Sequence, residues 1–336
     1  MPKVFLIHPS VHDLPSMLSF LHLPAGVPEL EWSDKNPDIL IASEWIYYRK
    51  SLFRRFRDLY FHSGLKVGYM QEALEPDLNV FDYGVGFSDA SGSDGRFIRL
   101  PSPLDLFDGF IDTRDNPIRT EDHALGELSR KHGFCSFLYS NANANPMRDR
   151  LFHALSEYRR VDSLGRHLNN VGVPGTGFAG HRSECKALKS DYKFGISAEN
   201  TDFKGGTTEK IFTTLTAHSV PIYWGNPSIT DDVNPDCFIN AADYPDLPSL
   251  VERVREVDHD DALWARMVSA PWFTPEQAKA HAERTASYLD GMDRILSGAA
   301  PRRAADGYHA GLYRKWFLDG KYPFDKSFLP FHGLSV

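Results

Sequence analysis

Cysteine is scarce in this sequence: Cys135, Cys185 and Cys237 are all that 336 residues contain. They are odd in number and far apart, with no CxxC or CxH spacing. Neither a disulfide framework nor a zinc site is expected, and a reducing, intracellular compartment suits the composition. Positive charge is also short, with 37 lysines and arginines against 45 aspartates and glutamates and a formal net charge of −8. That argues against a nucleic-acid binder, which usually shows a basic face, and leaves room for a local basic pocket. Long apolar runs are missing. The N-terminal MPKVFLIHPS is too brief for a signal core, and nothing approaches the 18 or so residues of a membrane span. The C-terminal Arg314–Val336 is aromatic and basic in places. It is expected to pack back onto the body, with at most peripheral membrane contact. Generic nucleotide fingerprints, the Walker A loop and GxGxxG, are missing too. No Asp-x-Asp motif follows a clear strand, and Asp258-His259-Asp260-Asp261 reads as an exposed turn.

What is present is a series of short apolar runs alternating with amphipathic stretches. Lys3–His8, Asp38–Ala42, Lys66–Met70, Asn79–Phe87 and Phe97–Leu100 read as strands, and Trp45–Phe61 as a helix. Glu121–His132 reads as a helix and Phe134–Tyr139 as the first strand of a second series. The pattern predicts an α/β protein with partly parallel sheets. Its 336 residues, 42% apolar, can fill two cores, with a boundary near residue 134 and domains of 1–134 and 135–336. Gly172–Glu184 reads as a long loop, and Leu247–Val257, Asp260–Val268 and Pro275–Ser297 as closing helices. Two such domains leave a cleft suited to a small molecule.

The densest chemistry lies in ISAENTDFKGGTTEKIFTTLTAHSVPIYWGNP, Ile196–Pro227. Lys193–Ala198 and Val220–Trp224 read as strands around a helix, Ile211–His218. Gly205 and Gly206 fall in the turn, and Thr207 or Thr208 can cap the helix. Open α/β sheets bind ligands outside the carboxyl ends of their strands, where helix starts offer N–H groups to anions. Lys210 stands in the first helical turn, where a cation opposes the helix dipole, so a phosphate would give it a purpose. Glu209 beside it can accept hydrogen bonds from sugar hydroxyls. A second such start is SNANANPMRDRLFHAL, Ser140–Leu155, with Asn145 as N-cap and Pro146 first in the helix. Met147, Leu151 and Leu155 share one face, and Arg148 is again a first-turn cation. The two starts together can clamp one pyrophosphate. Each cation alone reads as a surface residue, and only the two together favour a phosphate site.

FGISAENTDFKGGTTEKIFTTLTAHSVPIYWGNPSI closely resembles the nucleotide-sugar signature of the α-1,3/4-fucosyltransferases, glycosyltransferase family 10, in their bacterial form. SNANANPMRDRLF, VDSLGRHLNN (Val161–Asn170), YMQEALEPDLNVFDYGVGF (Tyr69–Phe87) and RFIRLP resemble further segments of that family. The likeness covers about residues 65–245.

The resemblance implies a GT-B arrangement, two Rossmann-like domains facing across a cleft, with the acceptor and the catalytic base in the N-terminal one. It implies transfer of L-fucose from GDP-fucose to a glycan hydroxyl with inversion and without a metal or other cofactor. The acceptor would be an N-acetyllactosamine-like chain joined α-1,3, or a lipopolysaccharide or capsule precursor met in the cytoplasm or at the inner membrane. By position, Glu72 would be the general base. Arg148 and Lys210 would neutralise the diphosphate, Glu209 would hold the ribose, and Glu199, Asn200 and Thr208 would line the donor pocket. Three departures stand out. Gln71-Glu72-Ala73 replaces the family's Gly-Glu-Asn, with Glu75 as the alternative base. Leu74 stands where some bacterial members carry a second acid. Lys204–Thr207 lacks a tyrosine common before Thr-Glu-Lys. Rival readings are a transferase of a related GDP-deoxysugar and a non-catalytic nucleotide-sugar or glycan-binding protein.

Overall fold

The computed structural model describes residues 1–23, 29–48, 59, 62–78, 80–88, 95–101, 120–172 and 182–302. They divide into two compact units. One joins Met1–Pro101 to the chain from Ala282 onward, and the other is Ser102–His281.

The first unit begins β1 (Lys3–Ile7), α1 (Leu14–Phe20), β2 (Glu31–Trp32), β3 (Ile39–Ser43) and α2 (Trp45–Tyr48). It continues β4 (Leu65–Tyr69), β5 (Tyr83–Gly86) and β6 (Phe97–Arg99). Its six strands run in the order β2-β1-β3-β4-β5-β6, every pair parallel. The ILIAS of β3 and the LKVGY of β4 are buried at every position, as strands covered on both faces must be. Helix α1, not anticipated above, opens on a capping box. The Asp13 carboxylate accepts from Ser16 N at 2.8 Å, and Asp13 N donates to Ser16 Oγ at 3.2 Å.

The second unit runs α3 (Glu121–Leu128), β7 (Gly133–Phe137), α4 (Met147–Tyr158), β8 (Val161–Ser163), α5 (Arg182–Lys189) and β9 (Tyr192–Ala198). It goes on α6 (Glu209–Leu215), β10 (Val220–Trp224), α7 (Ile229–Asp232), β11 (Ile239–Asn240), α8 (Leu247–His259) and α9 (Asp261–Ser269). The sheet order is β11-β10-β9-β7-β8, again all parallel. The chain starts at β7, steps outward to β8, returns across to β9 and proceeds the other way. Strand order therefore reverses between β7 and β9, where doubly wound sheets take their ligands. The face of α4 predicted from Met147, Leu151 and Leu155 packs into the core that holds Phe137, Phe194 and Ile222.

Helix α10 (Pro275–Leu296) starts in the second unit and groups with the first from Ala282. Its Tyr288 hydroxyl meets that of Tyr69 at 3.2 Å and donates to Leu21 O. Gly291 lies so close to β6 that a Cβ there would stand 2.7 Å from Ile98 Cδ1.

The units part after Pro101, whereas the sequence pattern changes near residue 134. The reason is α3, whose Ala124 and Leu128 pack into the core around Trp264 of α9. The Asp258–Asp261 stretch joins α8 to α9 with His259, Asp260 and Asp261 exposed, as expected, and only its first residue departs. Asp258 is buried and bonded to Tyr158, Arg159 and Lys193. Most of the expected helix to Phe61, and the segments 104–119, 173–181 and 314–336, lie outside the described residues.

Candidate functional site

The end of β9 is fastened to the end of β7 by one side chain. Tyr139 Oη accepts from Ala198 N at 2.7 Å and lies 3.1 Å from the carbonyls of Ile196 and Ala198. Burial, resisted by Arg148 and Lys210, pushes its pKa up to about 12, so it remains a neutral donor. The Arg148 guanidinium rests over the Tyr139 ring at 4.0 Å. Arg148 is only 1% exposed, on the first turn of α4. Its Nη2 donates to Asn200 Oδ1 at 2.6 Å and to Ala198 O at 3.5 Å, and its Nη1 to Asn141 O at 3.3 Å. Its Nε is buried with no acceptor among the described residues. Asn145 performs the expected cap chemistry, its Oδ1 accepting from Met147 N at 3.0 Å. Regular helix begins one residue later than predicted, a shift of the usual size. Asn145 N also donates to Asn200 O at 2.8 Å, so the loops after β7 and β9 are tied directly.

Glu199 is the centre of the second cluster and is 3% exposed. Its Oε1 accepts from Thr208 N at 2.9 Å. Its Oε2 accepts from Thr208 Oγ1 at 2.7 Å and from Lys210 Nζ at 2.9 Å. Lys210 Nζ also donates to Thr208 Oγ1 and lies 3.9 Å from Glu209 Oε1. Burial works against the ammonium, but the carboxylates of Glu199 and Glu209 prevail and hold its pKa above the ordinary lysine range. The first-turn cation thus has a partner in the fold, which the local sequence did not reveal. Nor does either threonine hydroxyl cap α6. Thr208 turns to Glu199. Thr207 Oγ1 donates to Asp232 Oδ2 at 2.9 Å and accepts from Asn226 Nδ2 at 2.9 Å. Glu209 has a side chain 38% exposed beside this cluster.

Arg148, Glu199, Asn200, Thr208, Glu209 and Lys210 are therefore brought together at the switch point of the second sheet. Glu72 belongs to the first unit, half-buried in the turn after β4, where Leu74 N donates to Glu72 O at 2.7 Å. Glu75, the alternative base, is exposed. Sequence reasoning missed Tyr139, Asn226 and Glu44. Asn226 follows the Tyr-Trp-Gly of the signature and accepts from Gly205 N at 2.8 Å, bracing the glycine loop. Glu44 is buried and accepts from Gln71 N. Among the described residues no group of three or more histidine, cysteine, aspartate or glutamate side chains is placed to hold a metal, and no helix is long and apolar enough to cross a membrane.

Residues 128–289 match the C-terminal domain of glycosyltransferase family 10 (fucosyltransferase). An alpha-(1,3)-fucosyltransferase, FucT of Helicobacter pylori, is 29% identical over 223 residues, 59% of this chain and 45% of its own. An alpha-(1,4)-fucosyltransferase of Arabidopsis thaliana is 31% identical over 140 residues, 38% of this chain and 35% of its own. The chain thus spans under half the length of these curated relatives. A crystal structure of an alpha1,3-fucosyltransferase with GDP-fucose superposes with a TM-score of 0.62 at 22% identity. The superposition covers 86% of this chain and 90% of that one. The fold is GT-B, and residues 128–289, a little under half of the chain, match the C-terminal domain of glycosyltransferase family 10, the fucosyltransferases.

Proposed function

We propose that the protein transfers L-fucose from GDP-fucose to a hydroxyl of a glycan, with inversion and without a metal. α-1,3 transfer to GlcNAc of an N-acetyllactosamine-like chain is the preferred linkage. The observation that carries this is the meeting of Arg148 and Lys210 at the end of β9 in a domain that matches family 10, with the buried Arg148 Nε still lacking an acceptor among the described residues.

In the proposed reaction the acceptor oxygen attacks the anomeric carbon of fucose as the bond to the diphosphate breaks. The acceptor proton passes to Glu72, a step that contributes about 10²–10⁴-fold when the carboxylate is well positioned. Negative charge grows on the departing diphosphate. Arg148 and Lys210 stabilise it more strongly in the transition state than in the ground state, which is what raises the rate. The planar arginine fork suits phosphate oxygens. Glu209 takes the ribose, and Glu199, Asn200 and Thr208 hold the two cations and line the pocket. The reaction would take place in the cytoplasm or at its membrane face.

GDP release from GDP-fucose, measured with EDTA present across lactose, N-acetyllactosamine, lacto-N-biose and no acceptor, tests this reading. Acceptor-dependent release is expected. Failure to bind GDP-fucose at all would remove it. For the base, Glu72→Gln should keep donor affinity and lose transfer by at least about 10²-fold; full turnover would show that another group takes the proton.

A further inference from the structure

The first unit holds a buried carboxyl near the half-buried Glu72. Strand β3 ends at Ser43, and Glu44 follows it with only 4% exposure. β3 and β4 are neighbours with Ser43 paired to Tyr69, so Glu44 stands level with Met70, one strand from the Gln71-Glu72 turn. Its Oε2 accepts from Gln71 N at 3.3 Å. Among the described residues no lysine, arginine or histidine forms an ion pair with it. The first sheet also reverses its strand order between β1 and β3, so Glu44 occupies the ligand-binding end of its own switch point.

Stability does not ask for an ionisable group here. A glutamine would accept the same N–H with no charge to desolvate. Burial first, and the nearby charge of Glu72 in addition, push the Glu44 pKa up to about 7. Other polar groups stand around it. Tyr69 of β4 is held neutral by burial, backed by the Tyr288 hydroxyl from α10. The His22 ring meets Gln71 Nε2 at 3.1 Å. The His8 ring faces Trp45, the residue after Glu44, at 6.1 Å.

We propose that Glu44 is a positioning residue for the base: it fixes the Glu72 turn through Gln71 N–H and, as the second carboxyl of a coupled pair, sets the affinity of Glu72 for the acceptor proton. This rests on Glu72 being the base. Below neutral pH Glu44 is uncharged and only holds the turn. As it ionises, a second negative charge beside Glu72 makes that carboxylate a stronger base, and proton removal gains accordingly.

The test is kcat/KM from pH 5 to 9 for the full chain and its Glu44→Gln and Glu44→Ala variants, alongside GDP titration and circular dichroism. Wild type should show a rise of about threefold through pH 7. Glu44→Gln, which keeps the acceptor for Gln71 N–H, should lose that rise and retain the acid-side rate. Glu44→Ala should lose about tenfold in kcat, since the turn is no longer held. GDP affinity should be unchanged in both, because the donor residues lie in the second unit. A Glu44→Gln profile that superimposes on wild type, or a wild-type profile without the step, overturns the proposal. If Glu44→Ala does not fold, Glu44→Gln still decides it. Turnover retained by Glu72→Gln would overturn the base assignment itself. A dead Glu72→Gln with a Glu44→Gln profile like wild type would overturn the Glu44 role alone.

Discussion

Lys210 has two tasks that one substitution cannot separate. It balances the buried Glu199 carboxylate, and in the proposed reaction it neutralises phosphate. Lys210→Met should lower GDP affinity by about tenfold and also lower Tm, because it leaves a buried charge without its partner. Adding Glu199→Gln should restore most of the Tm, since Gln can still accept from Thr208, but not the affinity. Calorimetric titration with GDP alongside a thermal melt reads both effects. Affinity that recovers together with Tm would mean that Lys210 serves the fold alone. Lys189 offers a contrast. It is 5% exposed, and its ammonium donates to the hydroxyls of Thr213 and Thr214. Burial pushes its pKa down to about 8 from the ordinary 10.5. The unfolded chain therefore binds the extra proton between those values, and stability rises as pH climbs through that window. Lys189→Met should stabilise the protein at pH 7 by up to about 3 kcal/mol, with the advantage shrinking above pH 8. Denaturant melts at pH 7 and pH 10 check the sign.

At the scale of elements, the loop from β9 into α6 is held from β10. Gly225 has φ of +148°, and a Cβ there would lie 2.4 Å from Glu199 Cγ. Gly225→Ala should displace Glu199, unseat Thr208 and Lys210 together, and weaken GDP binding by at least about tenfold. Wild-type affinity in that variant would show that the cluster tolerates the shift. The Tyr-Trp-Gly string was legible in the sequence, but its reason was not, because Glu199 and Gly225 lie 26 positions apart. The same split runs through the fold. β10 was read at its observed bounds because it is a continuous apolar run, and β9 within one residue because Phe194, Ile196 and Ala198 alternate along it. β2, β8 and β11 were not read as strands, since two or three residues carry no periodicity. The residues proposed to bind the donor stand out in the sequence because they cluster along the chain around two helix starts. Tyr139 was not, because an apolar strand end with a tyrosine looks like core, and its link to Arg148 and Ala198 is tertiary. Glu44 likewise reads as a lone acid after a strand until Gln71 is placed beside it.

For the whole molecule, the consequence is that the last described helix serves the start of the chain. From Ala282 on, α10 groups with Met1–Pro101. It buries Tyr288, Met292, Ile295 and Leu296 there, each at 1% exposure or less. Tyr288 reaches Tyr69 and Leu21, and Gly291 lets the helix close on Ile98. Losing one large apolar side chain from a core costs about 2–5 kcal/mol, and four together match or exceed the 5–15 kcal/mol that stabilises a domain. A chain ended at His281 should therefore fail to fold its first unit, even though every strand of that unit is intact in sequence. The core built by α4, β7, β9 and α9 loses nothing and should stay folded. Limited proteolysis should cut at once within the described residues of 1–101 and spare residues 120–172 and 182–281, while in the full chain the described residues of both units are protected. GDP should still bind the truncated chain, whose donor residues are all retained, and transfer should be lost with the turn that carries Glu72. Protection of the first unit without α10 would show that its sheet is stable on its own packing and that the helix only covers it.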